Sequence, residues 1–298
     1  MSAQAIDTIV EGKETGDRKG WASRFGLFAL SLTCGLAIFV FGSGHFTIFP
    51  TNNNPLYLAG LSALFLIVAV FLKQNERLEK YWRAAFTFFA ASAALLFSTL
   101  MARLTDAFLG ALNLTTSTSQ GIAIAKSYEM VMIVVPILVL TKLSGADLGS
   151  LYLKRGNLKW GLSIGLLVLF NFASSAFLFF AARYSSVDSL GAAVLWGLVF
   201  SFANGFMEEL WMRGVFLKRL EPLLGLGGAV LLTSIAFSLA HVGAVYVMPV
   251  AIPFMLAYAL TLGIACGFLI MKTGSLWGAT LLHAAADLFL FIAMLANA

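Results

Sequence analysis

The chain has 298 residues, of which 60% are hydrophobic and only 11% charged, and its mean hydropathy is +0.91. A water-soluble domain is usually about a quarter charged, so the composition excludes an ordinary soluble protein. The net charge of +5 would suit a nucleic-acid partner, but the basic residues sit in short loops between apolar runs and read as topology signals.

In chain order, residues 1–24 begin with a mixture of acids and bases around no apolar core, which argues against a cleavable signal peptide and predicts a flexible cytoplasmic tail. Nine apolar runs follow, near 25–42, 56–72, 84–101, 127–141, 160–182, 190–212, 226–247, 251–271 and 275–295. Most approach the roughly 20 residues an α-helix needs to cross the hydrocarbon core. Unpaired backbone polar groups are too costly in lipid for anything but helices or closed barrels. A barrel would show alternating segments of about 10 residues, which are missing. The fold expected is all-α, a polytopic transmembrane helix bundle of about nine spans, or eight.

Lys and Arg in alternate loops test that count. Lys13, Arg18, Lys19, Arg24, Lys73, Arg77, Lys80, Arg83, Lys142, Lys154, Arg155, Lys159, Arg213, Lys218, Arg219 and Lys272 fall on one side, against Arg103, Lys126 and Arg183 on the other. By the positive-inside rule the N-terminus is cytoplasmic and the C-terminus external, as expected of an integral protein of a bacterial cytoplasmic membrane. The external loop 43–55 carries His45, Pro50 and Pro55 and reads as a solvated turn. Segment 113–120 reads as a second external loop, and Glu129, beside Lys126, as an interfacial acid. Cys34 and Cys266 read as small buried hydrophobes. Trp196, Trp211 and Trp277 read as interface anchors.

Three units result: the tail 1–24, accessory transmembrane helices 25–125, and a chemically richer membrane core 126–298. Charge at the centre of a membrane helix costs about 2.5–3.5 kcal/mol or more and needs a reason. The last four spans hold such charge. Glu209 and Arg213 stand at i and i+4 in the order that favours an ion pair, which reads as structural support or as part of the chemistry. Glu208, rotated by about 100°, is left without a local partner. Phe237 and His241 lie on the seventh span, Phe237 reading as cavity packing, and His283 and Asp287 share a face of the ninth. At about 1.5 Å per residue, Glu208, His241 and His283 reach similar depths, and a shared polar cavity is the economical solution. Burial draws carboxyl and imidazole groups toward neutrality, where proton transfer works best, so the set suits hydrolysis by activated water.

Glu208-Glu209-x-x-x-Arg213, Phe237-x-x-x-His241 and His283-x-x-x-Asp287, in this order over about residues 190–298, resemble the CAAX-protease and bacteriocin-processing (Abi) family. These are intramembrane endopeptidases related to the type II CAAX prenyl protease. The resemblance implies that Glu208 and His241 activate water, that His283 and Asp287 serve the oxyanion site, and that Glu209 and Arg213 support them. It also implies a membrane-embedded or lipidated peptide or protein as substrate. Many relatives carry Asn where this chain has Asp287. An ionised Asp cannot donate a hydrogen bond, so Asp287 acts when protonated, orients His283, or ligates a metal. Zinc, if bound, would take Glu208, His241, His283 and Asp287; a glutamate-and-water mechanism requires no cofactor and is preferred. The rival readings are a catalytically silent scaffold or immunity protein of the same fold, and a proton-coupled transporter, which would call for an internal repeat.

Overall fold

A computed structural model describes residues 3–43, 54–243 and 249–296. Among them the regular structure is helical throughout: α1 (Ala3–Phe39), α2 (Asn54–Gln74), α3 (Trp82–Met101), α4 (Thr105–Ala111), α5 (Ser119–Leu143), α6 (Leu158–Phe180), α7 (Val187–Glu208), α8 (Leu217–Ala240), α9 (Ile252–Thr273) and α10 (Trp277–Leu295). Nine helical segments of the described residues are long and apolar enough to cross a membrane, and they coincide with the nine predicted spans. The chain is therefore an all-α polytopic membrane protein. His45 and Pro50 lie outside the described residues.

Three boundaries differ from expectation, the simplest at α5, which starts at Ser119 rather than near 127 and takes in the end of the expected loop 113–120. Helix α1 starts at Ala3, so the segment expected to be a flexible tail is helical and runs into the first span at Trp21. Residues 3–20 contain no proline, and extending an existing helix avoids the cost of nucleating one. Helix α8 starts at Leu217 rather than near 226, with Pro222 inside it and a bend at Gly225, whose φ is 75°. Only glycine adopts that left-handed conformation freely. The sequence boundary near 226 thus marks the bend, and 217–224 is a short helix before it.

Local chemistry sets several of the other ends. Thr118 caps α5 by accepting from the Gly121 amide. Ser186 and Ser189 form a reciprocal capping box at the start of α7, satisfying amides that would otherwise be orphaned beside the membrane. Helix α9 stops at Gly274, with φ of 64°. The connection before α6 is stitched to the α9–α10 turn: the Ser275 hydroxyl donates to the Lys154 carbonyl and the Leu276 amide to the Tyr152 carbonyl. Burial, with the charge of Glu221 adding to it, pushes the Tyr152 phenol up to about 12, so it stays a neutral donor to the Met271 sulfur.

Helix α10 is the inner post of the bundle and packs on α6, α7 and α9, while α8 packs on α9 and α1, and α5 on α7. Small residues permit these approaches, since polar side chains and close backbones, rather than water, hold membrane helices together. A Cβ at Gly205 would stand 3.1 Å from the Ala284 amide nitrogen, so α7 and α10 touch just where α7 presents its glutamates.

Candidate active site

After Glu208 the helix does not end but widens. Residues Glu209–Gly214 form a π-helical turn, with the Val215 amide bonded to the Leu210 carbonyl five residues back at 3.0 Å. Such widened turns frequently mark functional sites. Here the turn aims two consecutive carboxylates at one imidazole. Glu209 Oε1 lies 2.8 Å from His283 Nδ1, and Glu208 Oε2 lies 3.5 Å from His283 Nε2. A carboxylate can only accept, so Nδ1 carries the proton donated to Glu209, and Nε2 is the nitrogen that faces Glu208.

The Glu209 carboxylate is itself anchored. Arg213 Nη1 donates to Oε1 at 2.8 Å, and both side chains are fully buried. The ion pair expected from the i and i+4 spacing is present, and it has a second partner that the helix pattern did not reveal. Arg213 also lies against the Phe237 ring, 4.0 Å from guanidinium carbon to ring centre, a contact worth about 2 kcal/mol when desolvated. Gly263 of α9 makes room for the guanidinium: a Cβ there would stand 2.7 Å from Arg213 Nη2. Arg213, Glu209 and His283 therefore form one buried chain of charge-assisted bonds, and truncating one member of such a pair costs about 3–5 kcal/mol.

Asp287 shares the His283 face as expected, with Oδ2 3.8 Å from Nε2. Its Oδ2 also accepts from Asn204 Nδ2 at 2.9 Å. Asn204 went unremarked in the sequence, although an amide in an apolar run, one turn before Glu208, is the same signal that drew attention to the acids. Phe237 is buried as expected and stands edge-on to both imidazoles, with ring centres 4.5 Å from His241 and 5.4 Å from His283.

His241 is the residue least joined to the rest. It is the last residue reached by α8, and its Nδ1 lies 2.8 Å from the Phe237 carbonyl of its own helix. Among the described residues no hydrogen bond or ion pair links it to Glu208. Glu208 contacts the His283 imidazole instead, and the Phe237 ring packs against both imidazoles. Glu208 and Asp287 keep 20% and 14% of their side chains exposed, unlike the sealed Glu209 and Arg213.

The set named for zinc is not gathered as a ligand cage. Among the described residues, the trio whose potential ligand atoms lie within 4.8 Å of one another is Glu209, Cys266 and His283, and Glu208, His241 and Asp287 do not join it. Cys266, read from sequence as a small hydrophobe, is buried but chemically placed. The four residues named for zinc thus fit a catalytic metal poorly.

Farther along α5, Lys126 Nζ pairs with Glu129 Oε2 at 2.6 Å. Both line a cavity of about 500 Å³ with Ser98, Thr99, Leu95, Ile122 and Phe200, so Glu129 is a paired, partly exposed acid at a mostly apolar cavity. Trp211, expected to anchor at an interface, donates instead to the Ala91 carbonyl at 3.1 Å and packs edge-on to Phe39. It ties the π-helical turn to α1 and α3.

Comparison with known proteins matches the stretch of chain that contains the residues gathered around His283. Residues 189–289, which include the glutamates, both imidazoles and Asp287, match the family model described as type II CAAX prenyl endopeptidase Rce1-like. No curated protein and no solved structure matches the chain.

Proposed function

We propose, from an Rce1-like segment built into a helical membrane protein, that this chain is an intramembrane endopeptidase. It hydrolyses a peptide bond of a membrane-associated protein or peptide. The observation that carries the reading is that Glu209 bonds Nδ1 of His283 at 2.8 Å while Glu208 faces Nε2 at 3.5 Å.

Glu208, partly exposed, takes a proton from water and passes it to the leaving amine. General base catalysis of this kind contributes about 10²–10⁴-fold. The resemblance gives His241 the partner role in holding that water from α8. His283, fixed through Nδ1 by Glu209, turns Nε2 toward the carbonyl oxygen and donates to the oxyanion as imidazolium. A donor already aimed at developing charge stabilises the transition state without reorganising. Asp287, bonded by the Asn204 amide, orients the Nε2 side of the ring, so no donor is required of it. No step runs through a metal, and no cofactor is needed. The partners are the bilayer and a membrane-embedded or lipidated substrate. The expected location is a bacterial cytoplasmic membrane, with the N-terminus cytoplasmic.

The test is cleavage of lipid-anchored and transmembrane reporter peptides by the purified protein in liposomes. Wild type is expected to cleave, and Glu208→Gln and His241→Ala to fail while unfolding at the wild-type temperature. Equal cleavage by either variant would sink the assignment, and absence of cleavage by wild type across both reporter types would favour a silent scaffold of the same fold.

A further inference from the structure

The proposed mechanism gives Cys266 no part, yet its thiol stands at the hub of the site. Cys266 of α9 is fully buried, and its sulfur, a carboxylate oxygen of Glu209 and a ring nitrogen of His283 lie within 4.8 Å of one another. The two oxygens of Glu209 are unequal. Oε1 receives both Arg213 and His283, whereas Oε2 is buried without a hydrogen-bond partner. An unpaired carboxylate oxygen in a fully buried residue is costly and calls for a partner.

We propose that Glu209 Oε2, Cys266 Sγ and His283 Nδ1 form an inhibitory binding site for a soft divalent cation of the zinc or cadmium class. The inhibition rests on the catalytic reading above; the binding does not.

The donor set is the first ground. Sulfur, imidazole nitrogen and carboxylate oxygen are the ligands zinc accepts in tetrahedral sites, and a thiolate selects soft cations over magnesium or calcium. Charge is the second. Glu208, Glu209 and Asp287 face Arg213, Lys126 and the His283 imidazolium, and release of one proton each from Cys266 and His283 leaves a negative excess that a dication offsets. Arg213 does not have to leave, because it can stay on Oε1 as the outer partner that ligating carboxylates commonly have. An ion would enter past Glu208 and Asp287, which keep part of their side chains exposed.

The proton balance explains the inhibition. The Cys266 thiol releases its proton to solvent as the sulfur–metal bond forms. His283 can offer its Nδ1 lone pair only after the imidazolium of the catalytic reading gives up its Nδ1 proton, which also goes to solvent and leaves a neutral ring with its proton on Nε2. The ring then loses both its bond to Glu209 and the positive charge with which it donates to the oxyanion.

Cadmium chloride is the probe, added to the purified full-length protein in nanodiscs. Wild type and Cys34→Ala are expected to develop the ultraviolet absorption of a cadmium–thiolate bond and to retain about one ion per chain after desalting. Cys266→Ala and Cys266→Ser, two variants in case one packs poorly, are expected to lose both signals and to cleave normally in the presence of cadmium. Wild-type cleavage is expected to fall at least about tenfold, as happens when a site of this kind is saturated. Equal retention by the Cys266 variants, or no thiolate absorption in wild type, overturns the site. Retention without loss of cleavage overturns its inhibitory role. A wild type that binds cadmium but never cleaves refutes the peptidase reading and leaves the site standing.

Discussion

The two halves of this molecule are built from similar helices and use them differently. In the first five spans 17%, 22%, 39%, 22% and 11% of the most apolar stretch is buried, against 39%, 50%, 39% and 56% in the last four. The early helices, with α3 as the exception, turn most of their surface outward, as Leu64, Ile67 and Phe71 of α2 do. The late helices turn theirs inward and enclose Glu209, Arg213 and His283. Lipid tails are as apolar as leucine, so apolar surface gains little by leaving them, and helix association relies on packing and polar bonds. Charge in such a bundle is tolerated where neighbouring helices supply its partners, and the late half supplies them.

The largest effect that would sharpen this contrast is on chemistry. Glu208→Gln is expected to lower kcat by about 10²–10⁴-fold with little change in thermal unfolding, measured on reporter peptides in liposomes. Glu209→Gln follows, with a loss of about 10²–10³-fold in kcat, the range seen when one transition-state donor is misplaced. Rescue by Glu209→Asp would argue for orientation rather than bulk packing. Next is stability. Arg213→Met leaves the buried Glu209 carboxylate unpaired and is expected to cost about 3–5 kcal/mol in reversible unfolding in mixed micelles. Gly263→Ala pushes on the same guanidinium and is expected to cost about 1–3 kcal/mol. The smallest effect belongs to the outer half: Ile67→Ala, at a residue 66% exposed, is expected to change stability by about 0.5 kcal/mol or less. A loss at Ile67 as large as that at Arg213 would break the comparison.

The sequence made the spans legible because apolar run length maps directly onto membrane thickness, and charge that lipid penalises stood out in the last four. It also implied the Glu209–Arg213 pair, since i and i+4 neighbours on one helix need no knowledge of the fold. The hold on His283 was not legible. Residues 208 and 209 point apart on an ideal α-helix, and nothing in their spacing announces a π-helical turn that brings both to one ring. Asn204 and Cys266 were missed for a different reason: each is uncharged and sits in an apolar run, so its chemistry depends on which residue faces it across a helix boundary. The bend at Gly225 made α8 look shorter than it is, because a proline and a run of glycines resemble a loop when read along the chain.

The central claim is that Glu209 fixes His283 by accepting its Nδ1 proton, leaving Nε2 to Glu208. Nitrogen-15 spectra of histidine-labelled protein, assigned with His45→Gln and His241→Gln, test it most directly. The account predicts an Nδ1-protonated ring at His283 in wild type, with the Nδ1 proton in a strong hydrogen bond that Glu209→Gln removes. A His283 ring protonated on Nε2 alone in the metal-free wild type, or a spectrum unchanged by Glu209→Gln, would contradict it.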